Sequence, residues 1–258
     1  MRLSKSVFGW GLSLLVPVVL VIAWWFGSQG STSIYFPPLA RIMESFDALW
    51  LFAKWPTDVL PSLQRMAIGF ALAIVFGVLL GLLLGSSRLF RQATSPYIDF
   101  LRSVPPAAIL PLAILIFGIG DTMKIFVVVF GAIWPILLNT ADGVRSVDGT
   151  LLDTVKSFGV SRSRVMFRVV LPAASPQIFA GMRTGLALAI ILIVVSELTA
   201  STNGLGYFIL NAQRTFAIAD MWSGILLLGL IGIVLNAVFM VVERFVLGWY
   251  YQSQRVEG

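Results

Sequence analysis

The chain of 258 residues contains no cysteine and no histidine. That excludes disulfide frameworks, thiolate nucleophiles, imidazole bases and the usual zinc and haem ligand sets. Charge is scarce as well: 12% of residues are Asp, Glu, Lys or Arg, against about 25% in an ordinary soluble domain. No G-x-x-x-x-G-K-[ST] phosphate loop occurs, no carboxylates cluster at metal-binding spacing, and no repeat of fixed period or low-complexity tract appears. What the chain has in abundance is apolar surface, with 58% hydrophobic residues and a mean hydropathy of +0.93. Such a chain resides in a lipid bilayer. Its net charge of +6 sits in short segments between apolar runs, which points to membrane orientation and away from nucleic acid.

A membrane-crossing helix needs about 20 mostly apolar residues. Six runs approach that length: 7–26, 66–87, 103–120, 125–141, 177–195 and 221–242. The first follows Arg2 and Lys5 but is too long, and lacks the small-residue cleavage site, for a removable signal; it is expected to stay as a helix. Six spans put both termini on one side. If that side is the cytoplasm, only Arg41, Lys54, Arg65, Lys124 and Arg214 of the 18 Lys and Arg lie outside, as the positive-inside rule requires. The expected organisation is all-α, with residues 1–62 forming a first span and an external segment, 63–250 a core of five spans, and 251–258 a cytoplasmic tail. The external segment, about 28–62, carries Pro37, Pro38, Pro56 and Pro61 and should hold only short helical pieces.

Between the fourth and fifth runs lies one long charged segment facing the cytoplasm, about 142–172. Thr150 and Asp153 have capping-box spacing; Leu151, Leu152, Val155 and Phe158 recur at helical spacing; Gly159 is placed for a left-handed cap. Ser161 can cap a second helix through Arg162, Arg164 and Arg168, ended by Pro172. So short a helix is marginal in water. Its apolar face must dock either on lipid headgroups, drawn by Lys156 and the arginines, or in a groove of a partner protein.

The run from Asp153 through Lys156 and Gly159, nine residues, then Val169-Val170-Leu171-Pro172 resembles the signature of ABC importer permeases: an acidic residue, two alanines, three variable residues, Gly, nine more, Ile-x-Leu-Pro. Thr154 and Val155 stand where that signature has its alanines. Arg102-Ser-Val-Pro-Pro through Gly118-Ile-Gly120, and Glu197 through Gly204-Leu-Gly to Gln213, are similar to the permeases of nitrate, taurine and alkanesulfonate importers. The likeness runs from about residue 61 to 246. It implies a type I ABC importer permease fold in the bacterial inner membrane, in which 151–158 is a coupling helix seated in a separate ATPase. Leu151, Leu152, Asp153, Val155, Lys156, Phe158, Gly159, Leu171 and Pro172 would then carry the coupling. The resemblance further implies two ATPase subunits holding ATP and Mg, a second and identical permease copy, and an extracytoplasmic solute-binding protein, with no cofactor in this chain. Nitrate, bicarbonate, taurine, alkanesulfonates, aromatic acids and thiamine-precursor pyrimidines are all compatible solutes.

Other residues have a structural and a functional reading. Gly77, Gly81 and Gly85 in the second run, and Gly181 with Gly185 in the fifth, have the G-x-x-x-G spacing that lets helices approach closely in lipid. Gly118 and Gly120 suit an outside turn. Glu197 is costly if it faces lipid, so it lines the pathway or a gate, or else reaches the outer interface. Arg183 fits an inner-interface anchor. Arg41, Arg65 and Arg214 are outer cations that either attract an anion, pair with a docking protein or are simply solvated; Asn211 and Gln213 are polar positions of the last outer loop. Two other classes stand against a coupled transport subunit: an intramembrane enzyme, for which no catalytic set is visible, and a free-standing carrier, for which the usual paired repeats with interrupted spans are missing. Either would be active alone.

Overall fold

A computed structural model describes residues 2–250, with side chains from residue 15 onward. Among these residues every regular element is helical: α1 (Arg2–Ser28), α2 (Leu39–Trp50), α3 (Leu60–Ser86), α4 (Arg88–Ser103), α5 (Leu110–Phe117), α6 (Asp121–Arg145), α7 (Gly149–Ser157), α8 (Arg162–Val165), α9 (Leu171–Thr199), α10 (Leu205–Arg214) and α11 (Ile218–Val246). Four continuous helices are long and apolar enough to cross a membrane: Trp55–Ser86, Asp121–Arg145, Arg162–Thr199 and Ile218–Val246. A fifth crossing is available if α4 and α5, bent by 88° at their junction, count as one broken span.

The centre of the molecule is α6, held between α3 and α9. In lipid, apolar side chains gain little from meeting one another, so close helix contact depends on small residues. On α3 these are Gly69, Gly77, Gly81 and Gly85, facing Val128, Ile136, Thr140 and Val144 of α6; Ala73, in the same row, is fully buried. A Cβ on Gly81 would lie 2.5 Å from Thr140 Cβ and 2.7 Å from the Leu137 carbonyl oxygen, so only glycine permits this approach. Both rows ascend together, so α3 and α6 run parallel. The α4–α5 segment therefore carries the chain back between them. Gly181 and Gly185 of α9 meet α6 in the opposite sense, at the carbonyls of Pro135 and Ala132.

The expected runs 66–87, 125–141, 177–195 and 221–242 thus lie within the four long helices. The run 103–120 is not one continuous helix. Pro105 and Pro106 lack the N–H a helix needs, Val104 is extended, and only a short 3₁₀ turn, Pro106–Ile109, precedes α5. The first run lies in α1, a helix of 27 residues.

Two further expectations are corrected. In the segment expected to lie outside, about 28–62, α2 is followed by a wide π turn at Trp55–Val59 that begins the second long helix, with Pro56 in its first turn and Pro61 just after the π turn. The rest of that segment is tied down: the Trp50 indole donates to Ser223 Oγ at 2.9 Å, and that of Trp222 to the Tyr35 carbonyl at 3.0 Å. Pro172 does not end a helix. It opens α9, and the π turn Met166–Val170 joins α8 to it, the wider turn relieving the clash with the carbonyl four residues back. Asn211 and Gln213 sit on α10, not in a loop. The tail 251–258 lies outside the described residues.

Candidate functional site

Polar side chains concentrate at the two ends of the α3–α6–α9 core, and the ends differ in kind. At one end α3 and α6 begin and α9 finishes. Glu197, 1% exposed there, is fully bound: Ser62 Oγ lies 2.8 Å from both carboxylate oxygens, Arg65 Nη1 donates to Oε1 at 3.0 Å, and the Gly206 N–H donates to Oε2 at 3.1 Å. Arg65 also donates through Nε to Asp121 at 2.8 Å and through Nη2 to the Asn203 side chain at 2.7 Å. Ser62 accepts from the Leu205 N–H, and Asp58 from the Gly204 N–H at 3.1 Å. Lys124, also buried, stands 3.9 Å from Asp121.

This network locks the start of α3, the start of α6, the end of α9 and the 200–206 turn into one body. The turn requires glycine twice. Gly204 has φ +109 and a Cβ there would lie 2.4 Å from the Glu197 carboxyl; one on Gly206 would lie 2.5 Å from the Val194 carbonyl oxygen. A buried charge that loses its partner costs about 3–5 kcal/mol, so each member depends on the rest.

Glu197 is accordingly neither at the lipid interface nor open to solvent in this chain, and Arg65 is not a solvated cation. The cost of an unpaired charge in an apolar run was the available signal. It did not say which cation answers it, nor that Ser62, Asp58 and Asn203 join.

At the other end the short segment between α6 and α9 stands apart. The expected Thr150–Asp153 capping box is not the one formed: Asp148 is the N-cap and accepts from the Thr150 N–H at 2.7 Å. Asp148 lies two residues nearer the turn and reaches a free N–H that Thr150, already helical, cannot. That hydrogen bond holds the Asp148 carboxyl below its ordinary pKa. Gly159 has φ +68 and its N–H donates to the Lys156 carbonyl at 2.9 Å, the expected left-handed stop. Ser161 occupies the next N-cap position without a side-chain cap bond.

The apolar residues of α7 divide. Leu152 packs on the cluster of Val144, Val170 and Ala174, joined by Leu171, and Val155 is half-buried. Leu151 is 44% exposed and Phe158 80% exposed. Asp153 accepts from Lys156 Nζ at 2.9 Å on the open side, a pair too exposed to contribute much. Pro172 is exposed in the first turn of α9. The structure thus brings the residues expected to carry coupling to one end, far along the helices from Glu197. Asn211 and Gln213 are exposed on α10, next to the network. Arg183, half-exposed, pairs with Glu243 of α11.

Among the described residues, no group of three or more Asp or Glu could hold a metal ion.

Comparison with known proteins gives a consistent result. Residues 73–247 match the model of the "Binding-protein-dependent transport system inner membrane component" family. The chain is 32% identical over 248 residues to SsuC of Bacillus subtilis, named for aliphatic sulfonates transport, covering 95% of this chain and 90% of that one. It is 31% identical over 236 residues to the nitrate import permease NrtB of Synechocystis, covering 88% and 86%. With the taurine transport system permease TauC of Escherichia coli it shares 30% over 250 residues, covering 94% and 91%. Among solved structures, an inward-facing form of the MetNI methionine ABC transporter superposes with a TM-score of 0.64 at 20% identity, over 78% of this chain and 98% of that one. An amino acid ABC transporter superposes at 0.56 and 15% identity, over 80% and 94%.

Proposed function

The chain belongs to the binding-protein-dependent transport system inner membrane components, and from that premise we propose that it forms half of a solute pathway whose opening is driven through α7. It is a permease subunit of an ABC importer, a transport subunit and not the ATPase. We read α1 as a sixth membrane helix and both termini as cytoplasmic, the Glu197 end of the core as outer and the α7 end as inner. Residues 1–62 then form the first helix and outer segment, 63–250 the permease core with its coupling loop at 142–172, and 251–258 an inner tail. Two identical copies would enclose the pathway, two ATPase subunits would bind ATP and Mg below, and a receptor would deliver solute above. The solute is a small anion of the sulfonate, taurine or nitrate class, by analogy with what the relatives are named for.

One observation carries the coupling role: a helix firmly stopped at both ends presents Leu151 and Phe158 outward while Leu152 roots it in its own core. Past the turn at Gly159, α8 and the π turn Met166–Val170 lead to α9, which Leu171 and Pro172 open; Val155, Asp153 and Lys156 complete the surface of α7. Closure of the ATPase dimer would push this tip, and α6 and α9 would follow as rigid bodies. At the outer end Glu197 acts in the gate by fastening α3, α6 and α9 together, and exposed Asn211 and Gln213 face the mouth that the receptor covers. A lipid-bound α7 is the competing reading.

The test is a reconstituted complex with its receptor. Phe158→Asp or Gly159→Pro should abolish uptake while the permease stays inserted; normal uptake in both overturns the coupling role. Glu197→Gln should change uptake or basal ATP hydrolysis, and no change in either removes the gate role.

A further inference from the structure

Helix α4 has no buried residue, yet it runs through the level of the bilayer. Its inner end follows Gly85, which faces Val144 near the end of α6. Its other end leads into Pro106, whose ring would lie 3.2 Å from a Cβ on Gly131. Gly131 is about 15 Å along the helix from Asp121, near the middle of α6. Between these anchors Phe90 and Ile98 pack beside Leu84, Leu137 and Ala141. The half of α4 leading to the bend therefore lies at hydrocarbon depth.

A neighbouring face cannot meet lipid. Arg88, Gln92, Ser95, Asp99 and Arg102 recur at spacings of three and four, hence on one side of the helix, and all are exposed. Asp99 and Arg102 form a pair at 2.9 Å with side chains 57% and 48% exposed. Ionisable groups at that depth face water, protein or one another, and here the pair remains half open. The bend adds a second constraint. Non-helical backbone at membrane depth is tolerated only inside protein or along a water-filled cavity, and Val104 and Pro105 are extended, with Pro105 exposed. A third observation lies about one turn deeper on α6 than Gly131: the Trp134 indole N–H is the one buried side-chain polar atom among the described residues without a hydrogen-bond partner.

We propose that the Arg88–Arg102 face of α4 lines the inner half of the solute pathway, and that Arg102 is a transient site there for an oxyanion such as a sulfonate or nitrate. This rests on the permease reading and deepens it. The broken span sets a polar row along an aqueous wall from the inner mouth to the bilayer centre. Asp99 orients the guanidinium and keeps it from holding the anion tightly, because the two carboxylate-like partners compete for the same donors. A pathway site must bind weakly enough to release.

The absence of cysteine makes the test direct, since an introduced thiol is the only one in the chain. Ser95→Cys and Ser103→Cys, both on exposed positions, are placed in the complex in membranes and treated with two water-soluble methanethiosulfonates, one ending in a sulfonate and one in a trimethylammonium. Val75→Cys and Ile233→Cys, on exposed apolar faces of α3 and α11, serve as lipid-facing controls. The expected result is modification at 95 and 103 and none at the controls. At 103 the sulfonate reagent should lead, and adding Arg102→Gln should shift the ratio of the two rates roughly tenfold toward the cation, as one charge at about 6 Å in watery surroundings gives for reagents of opposite sign. Unreactive thiols at both positions would mean that a second copy or lipid covers this face and would overturn the proposal; so would a ratio indifferent to Arg102. Receptor-stimulated ATP hydrolysis, measured on the same membranes, separates the cases: if it persists while the thiols are silent, this inference fails and the permease reading stands.

Discussion

The two ends of the core are finished to different degrees. At the Glu197 end, proposed to be outer, Ser62, Arg65, Asp121, Glu197 and the 203–206 turn satisfy one another, and the Glu197 carboxylate is saturated by its own chain. At the α7 end, proposed to be inner, α7 is capped by Asp148 and stopped by Gly159, yet Phe158 stays 80% exposed. A region that closes upon itself keeps its geometry without help. A region with exposed apolar tips on a rigid support needs a partner to complete it. On the proposed function, the permease is held at the Glu197 end and driven from the α7 end.

Substitutions can break this contrast, and they separate best when ranked by their effect on the stability of the purified permease. Gly81→Leu should be the most damaging, because even a Cβ would lie 2.5 Å from Thr140; the expected outcome is loss of folded protein, read by size-exclusion chromatography. Glu197→Ala leaves Arg65 with Asp121 as its only carboxylate partner beside Asn203 and an uncompensated buried site, and should cost about 3–5 kcal/mol, seen as a lower melting temperature. A melting temperature unchanged from the parent would mean that the outer end is not held by this network.

Asp148→Ala should loosen only α7. It is expected to reduce coupled uptake with little change in melting temperature, while Asp148→Asn, an equally good cap, keeps uptake near the parent level. The sign of the pH effect follows from the lowered carboxyl pKa: the charged cap's contribution is fully present above the ordinary carboxylate range and is lost only as pH falls through the lowered folded value. Smallest in stability is Phe158→Asp. A substitution at so exposed a position should stay within about 0.5 kcal/mol, yet uptake should vanish. Equal stability losses at Glu197 and Phe158 would erase the distinction between the ends.

Much of this was legible in the residues, for physical reasons that also explain the rest. Long apolar runs, charge-free but for Arg183, located the four continuous spans, since lipid demands unbroken helices. The spacing of Gly77, Gly81, Gly85, Gly181 and Gly185 announced close packing, though not that α6 takes both faces. Gly159 marked its left-handed turn, because few other residues tolerate it. Hydropathy alone misread 103–120: it sums apolarity and is blind to the missing N–H groups of Pro105 and Pro106. Pro172 misled in the opposite way, a proline at the start of a helix being as acceptable as one at an end. Glu197 announced a partner but not its identity, because Arg65 is 132 positions away and only the parallel packing of α3 and α6 brings Arg65 and Asp121 to the end of α9.

The most direct test of the driven inner end replaces Phe158 with a photo-crosslinking phenylalanine in the intact transporter in membranes. The expected result is an adduct of this chain with the ATPase subunit, its yield changing between nucleotide-free and ATP-bound states. Adducts with lipid alone, in a transporter that still takes up solute, would contradict the account.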